Sequence, residues 1–141
     1  NKSIKKELVS VDTMHKVAAR LIKKMPEIKI FTFTGPLGAG KTTLVQHMLR
    51  LCGVVEPITS PTYTYVNLYR LDDGTVLYHF DLYRIETLAD FLEAGFDEYL
   101  YQENSYCFIE WPEVIKVLIK TAACHSELEY ANDESRWIAI Q

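Results

Sequence analysis

The chain has no run of apolar residues approaching the roughly 20 that a membrane-crossing helix needs. Cysteine is scarce. Cys52, Cys107 and Cys124 are odd in number and have no CxxC spacing, which argues against a disulfide framework or a zinc site and suits buried thiols in a reduced compartment. Positive charge is in deficit: 15 Lys+Arg against 19 Asp+Glu leave a net charge of −4. That disfavours a domain gripping nucleic acid mainly through its phosphates, because such domains are usually basic. Glycine and proline number 6 and 5 and nowhere cluster into a linker, and no repeat or low-complexity stretch occurs. The basic opening NKSIKKELVS is followed by no apolar core of a secretion signal. With 141 residues, 48% hydrophobic and 24% charged, the expectation is a single cytoplasmic domain over residues 1–141, monomeric when free and without a membrane partner.

Apolar residues Met14, Val17, Ala18, Leu21, Ile22 and Met25 recur at three-four spacing and predict an amphipathic helix over Val11–Met25, capped by Ser10 or Asp12. Ile28–Thr34 is short, β-branched and aromatic, and reads as a buried strand. Lys41–Cys52 reads as a helix closed by Gly53. Strand-like runs Tyr63–Leu71 and Thr75–Asp81 flank Asp72-Asp73-Gly74, a hairpin turn signal. Glu86–Glu93 is expected to be helical, Tyr106–Glu110 a buried strand, and Pro112 the start of another helix. Two weaker strands are expected around Glu127–Ala131 and Trp137–Ile140, with a turn at Asn132-Asp133. Strands alternating with helices imply an α/β fold with a mostly parallel sheet and an antiparallel hairpin.

Gly35-Pro36-Leu37-Gly38-Ala39-Gly40-Lys41-Thr42 fits G-x-x-x-x-G-K-[ST] and is followed by Thr43. Glycines let backbone N–H groups wrap a polyphosphate. A lysine at this position supplies a point charge to the β/γ-phosphates, and the next hydroxyl can ligate Mg²⁺. The following helix offers its N-terminal donors to the same anion. The motif lies between a strand pattern and a helix pattern, as this chemistry requires.

The loop alone does not choose among GTPases, kinases and ATPases. Neither the N-K-x-D base reader nor the D-x-x-G switch of guanine-specific proteins occurs. Between Ile85 and Gln141 the only arginine is Arg136, few for a kinase lid that neutralises a transferred phosphoryl group. ATP hydrolysis or ATP-gated switching remains. Asp81 and Glu110 both end apolar strand runs, where ligands gather in open parallel sheets. Glu110 is read as a Mg²⁺ ligand and Asp81 as the group that positions or activates water. Hydroxyl-rich Thr59-Ser60-Pro61-Thr62-Tyr63 is either a γ-phosphate-sensing loop or an ordinary proline turn. Trp111 either stacks near the nucleotide or fills the core. His79, two residues before Asp81 on one strand face, either bonds Asp81 or is a satisfied core histidine. Tyr63, Tyr65 and Tyr69 at period two read as a packing row.

In this order and spacing the motifs resemble the TsaE (YjeE) family, bacterial ATPases required for threonylcarbamoyladenosine in tRNA. The family's G-x-L-G-A-G-K-T-T, S-P-T-[FY], H-x-D-x-Y-R and I-E-W-P-E correspond to Gly35–Thr43, Ser60–Tyr63, His79–Arg84 and Ile109–Glu113. Pro36 stands where the family usually has an acidic residue. The resemblance implies a three-layer P-loop NTPase-like fold, ATP/ADP and Mg²⁺ as cofactors, and TsaD and TsaB as partners, with tRNA reached only through their complex. It implies that Leu37, Gly38, Ala39, Gly40, Lys41, Thr42 and Thr43 hold phosphates, with Lys41 and Asp81 catalytic and Thr42 and Glu110 on the metal. It also places Ser60 and Thr62 on a switch-like loop and Ser10, Asp12 and Thr13 on the adenine side, and Trp111 is counted with the candidate nucleotide-binding residues. A small-molecule kinase and a non-hydrolysing, nucleotide-gated interaction module are the alternatives.

Overall fold

The computed structural model describes residues 5–141, so the first four residues of the basic opening lie outside it. Seven strands form one sheet in the order β1-β7-β6-β2-β5-β4-β3. They are β1 (Lys6–Ser10), β2 (Ile30–Thr34), β3 (Val66–Arg70), β4 (Val76–Asp81), β5 (Ser105–Glu110), β6 (Ala123–Asn132) and β7 (Ser135–Ile140). The centre is parallel, with β2 between β5 and β6 and β4 beside β5. Strand β3 returns antiparallel on β4 through the expected Asp72-Asp73-Gly74 turn. The tail forms a second hairpin, β6–β7, and β1 adds to it antiparallel.

Alternation along the central strands divides the interior into two apolar clusters, as a sheet covered on both faces requires. Phe31 and Phe33 of β2 face the helices α1 (Met14–Ile22) and α2 (Lys41–Cys52), with Leu77, Phe108, Leu128 and Ile138 in the same cluster. Ile30, Tyr78, Phe80, Cys107 and Ile109 face the opposite layer. That layer consists of the short helix α3 (Leu88–Glu93) and two 3₁₀ segments, Phe96–Tyr99 and Pro112–Leu118. This is the expected three-layer arrangement. Burial pushes the Cys107 thiol up to about 12 and Cys52 up to about 11, so neither is a ready nucleophile. No helix among the described residues is long and apolar enough to cross a membrane.

Several boundaries differ from expectation for local reasons. Helix α1 buries Met14, Val17, Ala18 and Leu21, the predicted stripe. Its first turn is nevertheless a separate 3₁₀ piece, Val11–Thr13, in which the Ser10 hydroxyl accepts the Asp12 N–H at 3.2 Å. The run after Pro112 is 3₁₀ rather than an α-helix, consistent with Val114, Ile115, Val117 and Ile119, whose branched side chains disfavour longer helix. The tyrosine row is not one strand face. Tyr63 precedes β3 and is 81% exposed, Tyr65 has φ 68° and packs with the α3 layer, and Tyr69 is buried with the α1–α2 cluster. Strand β1 was not expected. It is a short edge strand with only Val9 buried, and its alternation is too brief to read.

Candidate functional site

The loop between β2 and α2 turns at the carboxyl end of the central strand. Glycine is required at Gly35, because a Cβ there would run into the carbonyl oxygen of Leu128. Gly40, with φ 102°, starts α2 without a side-chain cap, leaving the first N–H groups of that helix open to an anion. A cleft of about 490 Å³ opens over the loop.

Every polar residue read as central to the chemistry lines this cleft: Lys41, Thr42, Thr43, Asp81 and Glu110. Strand register makes the two acids neighbours, since Asp81 pairs with Glu110 across β4 and β5. Glu110 is 2% exposed, and each of its oxygens has a donor. Thr42 Oγ1 donates to Oε1 at 2.7 Å, and His79 Nε2 donates to Oε2 at 2.6 Å. The end of β5 is held by its backbone as well: Leu82 N–H donates to Glu110 O at 3.1 Å and Trp111 N–H to Phe33 O at 3.2 Å.

Asp81 is half-buried and accepts the Tyr83 N–H at 3.1 Å. Burial, with the Glu110 carboxylate adding to it, pushes the Asp81 pKa above the ordinary carboxylate range, against the Tyr83 amide, His79 and Lys41. Lys41 is buried, and its ammonium donates to Gly35 O and, at 2.9 Å, to Pro36 O. It lies 4.1 Å over the Trp111 ring, a cation–π contact that holds the ammonium at the cleft floor. Burial lowers the Lys41 pKa, opposed by Glu110, Asp81 and Glu113. Trp111 has φ 58°, an uncommon conformation for a bulky residue that turns the chain sharply after Glu110.

The rim is built differently. Leu37, Gly38, Ser60, Thr62, Tyr83 and Arg84 line it. Ser60 and Thr62 bond each other at 3.2 Å, Arg84 lies 5.3 Å over Tyr63, and Tyr83 packs 4.9 Å from Trp111.

Some expected contacts fall elsewhere. Ala39 is buried, and its N–H donates to Pro36 O at 3.2 Å, so it holds the loop's shape. Ser10 and Thr13 direct their hydroxyls to their own turn, Thr13 donating to Ser10 O at 3.2 Å. Their neighbours Val11 and Met14 face the cleft. His79 bonds Glu110 and not Asp81. Arg136 of β7 lines the cleft, 4.9 Å over Tyr130, and donates to Asn132 O at 2.7 Å while its buried Nε has no partner among the described residues. No local motif marks Arg136; the β6–β7 hairpin carries it to Gly40.

A family model described as "Threonylcarbamoyl adenosine biosynthesis protein TsaE" matches residues 8–138. Curated relatives named "tRNA threonylcarbamoyladenosine biosynthesis protein TsaE" include one from Rickettsia conorii, 32% identical over 94% of this chain and 75% of its own. Another, from Haemophilus influenzae, is 37% identical over 84% of this chain and 74% of its own. The crystal structure of Bacillus subtilis YdiB superposes with a TM-score of 0.70 at 26% identity, covering 99% of this chain and 87% of that one.

Proposed function

The chain belongs to the TsaE family, whose place is in the biosynthesis of threonylcarbamoyladenosine in tRNA, and on that footing we propose that it is a Mg²⁺-dependent ATPase working in an ATP-driven cycle with TsaD and TsaB homologues in the cytoplasm. The carrying observation is that Thr42, Glu110, Asp81 and Lys41 meet over one phosphate loop. Thr42 and Glu110 offer a hydroxyl and a carboxylate in mutual contact at 2.7 Å, the oxygen donors a hard cation takes. A bound Mg²⁺ supplies charge neutralisation on the phosphates.

The residues divide the work. Lys41, the Gly38 and Gly40 backbone, Thr43 and the start of α2 bind the phosphates of ATP or ADP. Asp81, beside Glu110 and open to the cleft, accepts a proton from the attacking water, a role that a raised pKa serves at neutral pH. Trp111 shields the Lys41 side of the cleft from water. Ser60 and Thr62, on an exposed loop, are the groups a γ-phosphate or partner draws in. The net charge of −4 suits contact with tRNA only through the partner complex.

Single-turnover hydrolysis of ATP, with and without TsaD and TsaB homologues, tests the proposal. The expected result is slow turnover alone and faster turnover with both, because P-loop switches gain rate from groups a partner adds. ATP loss only on addition of a metabolite would instead mark a kinase. Binding without turnover in every mixture would mark an interaction module.

A further inference from the structure

We infer that His79 is a positioning residue for the divalent-cation site, fixing Glu110 through Oε2 so that Oε1 and the Thr42 hydroxyl face the cation together. The inference rests on the nucleotide-and-metal reading of the cleft and adds a residue to it.

Strand β4 places His79 at zero exposure under the cleft, opposite Phe108 of β5 and two residues before Asp81. Packing alone does not account for an imidazole there. Its Nδ1 is buried and, among the described residues, has no hydrogen-bond partner. A leucine or phenylalanine at such a position would leave no nitrogen orphaned, and orphaned interior polar atoms are costly and rare. What the ring supplies is the 2.6 Å bond from Nε2 to Glu110 Oε2.

That bond decides how Glu110 stands. With Oε2 held from below by a ring on a central strand, the carboxylate has little freedom to turn, and Oε1 is left beside Thr42 Oγ1 at 2.7 Å. A ligand oriented by a rigid outer partner binds its cation more tightly than one free to rotate, and loss of such a partner costs about 10–100-fold in metal affinity. Asp81, the other acid of the site, is held from different atoms, by the Tyr83 N–H at 3.1 Å.

Two amide substitutions separate the ring's atoms. Glutamine at position 79 places its N–H₂ near the Nε2 position, and asparagine places its own near the Nδ1 position, so only the former keeps the bond to Glu110. The readout is Mn²⁺ affinity of the ADP-saturated chain, from the free Mn²⁺ resonance signal, beside ADP affinity measured in chelator. ADP affinity is expected to be equal in wild type, His79→Gln and His79→Asn. Mn²⁺ affinity is expected to stay close to wild type in His79→Gln and to fall about 10–100-fold in His79→Asn. Equal Mn²⁺ affinity in the two variants, whether retained or lost in both, overturns the inference. Failure of the wild type itself to bind ADP or Mn²⁺ overturns the reading of the cleft instead. A measurement on the unaltered chain covers the case of variants that do not fold. The His79 Nε2–H resonance of the ADP complex is expected to shift when Mg²⁺ is added, and an unmoved signal refutes the role.

Discussion

The floor and the rim of the cleft are held in different ways. On the floor, Lys41, Glu110 and His79 are at most 4% exposed, and each is tied to a strand or loop that the sheet holds in place. On the rim, Tyr83 is 51% exposed, Tyr63 beneath the rim's Arg84 is 81% exposed, and Ser60 and Thr62 bond mainly each other. On the proposed reading, the groups that would hold phosphate and metal are built where packing leaves them no alternative, and those that would respond to a nucleotide or partner are left where movement is cheap.

The sharpest way to break this contrast is on the floor. Asp81→Asn is expected to cut partner-stimulated hydrolysis by about 10²–10⁴-fold while ADP binding persists, read by single-turnover and equilibrium measurements. Equal turnover in the variant would remove Asp81 from the chemistry. The same substitution carries a pH signature. Burial raises the Asp81 pKa in the fold above its unfolded value, so the protonated form is the better tolerated one. The stability associated with it is present in acid and lost as pH rises through the raised value. Asparagine, always neutral, is therefore expected to raise Tm at neutral pH, with the gain vanishing at low pH.

A smaller effect is expected on the rim. Thr62→Ala should leave Tm and ADP affinity unchanged and reduce partner-stimulated turnover by about tenfold, the scale of one lost hydrogen bond. A loss of Tm would show the rim to be as structural as the floor. The smallest effect is expected for Tyr63→Ala. It should be neutral in stability, because an exposed residue away from the core seldom matters by more than about 0.5 kcal/mol, and a measurable loss of Tm would blur the contrast with the floor.

Much of the floor was legible in the sequence because its signals are local. Gly35–Thr42 is contiguous, and Asp81 and Glu110 each close a readable apolar strand. What escaped was set by pairing between distant segments. For His79 the sequence offers either Asp81, two residues away, or a satisfied place in the core, whereas its partner is Glu110 on the neighbouring strand. Arg136 reaches Gly40 only because β7 folds back on β6. The tyrosine row failed for a local reason with a similar lesson: a positive φ at Tyr65 breaks the period before β3 begins.

Calorimetric titration of the chain with ATP in the presence of Mg²⁺, beside Lys41→Ala, tests the central claim most directly. The account predicts one saturable site in the wild type and at least about 100-fold weaker binding in the variant, since a buried cation facing phosphate is lost. Absence of binding by the wild type, or equal affinity in the two proteins, would contradict it.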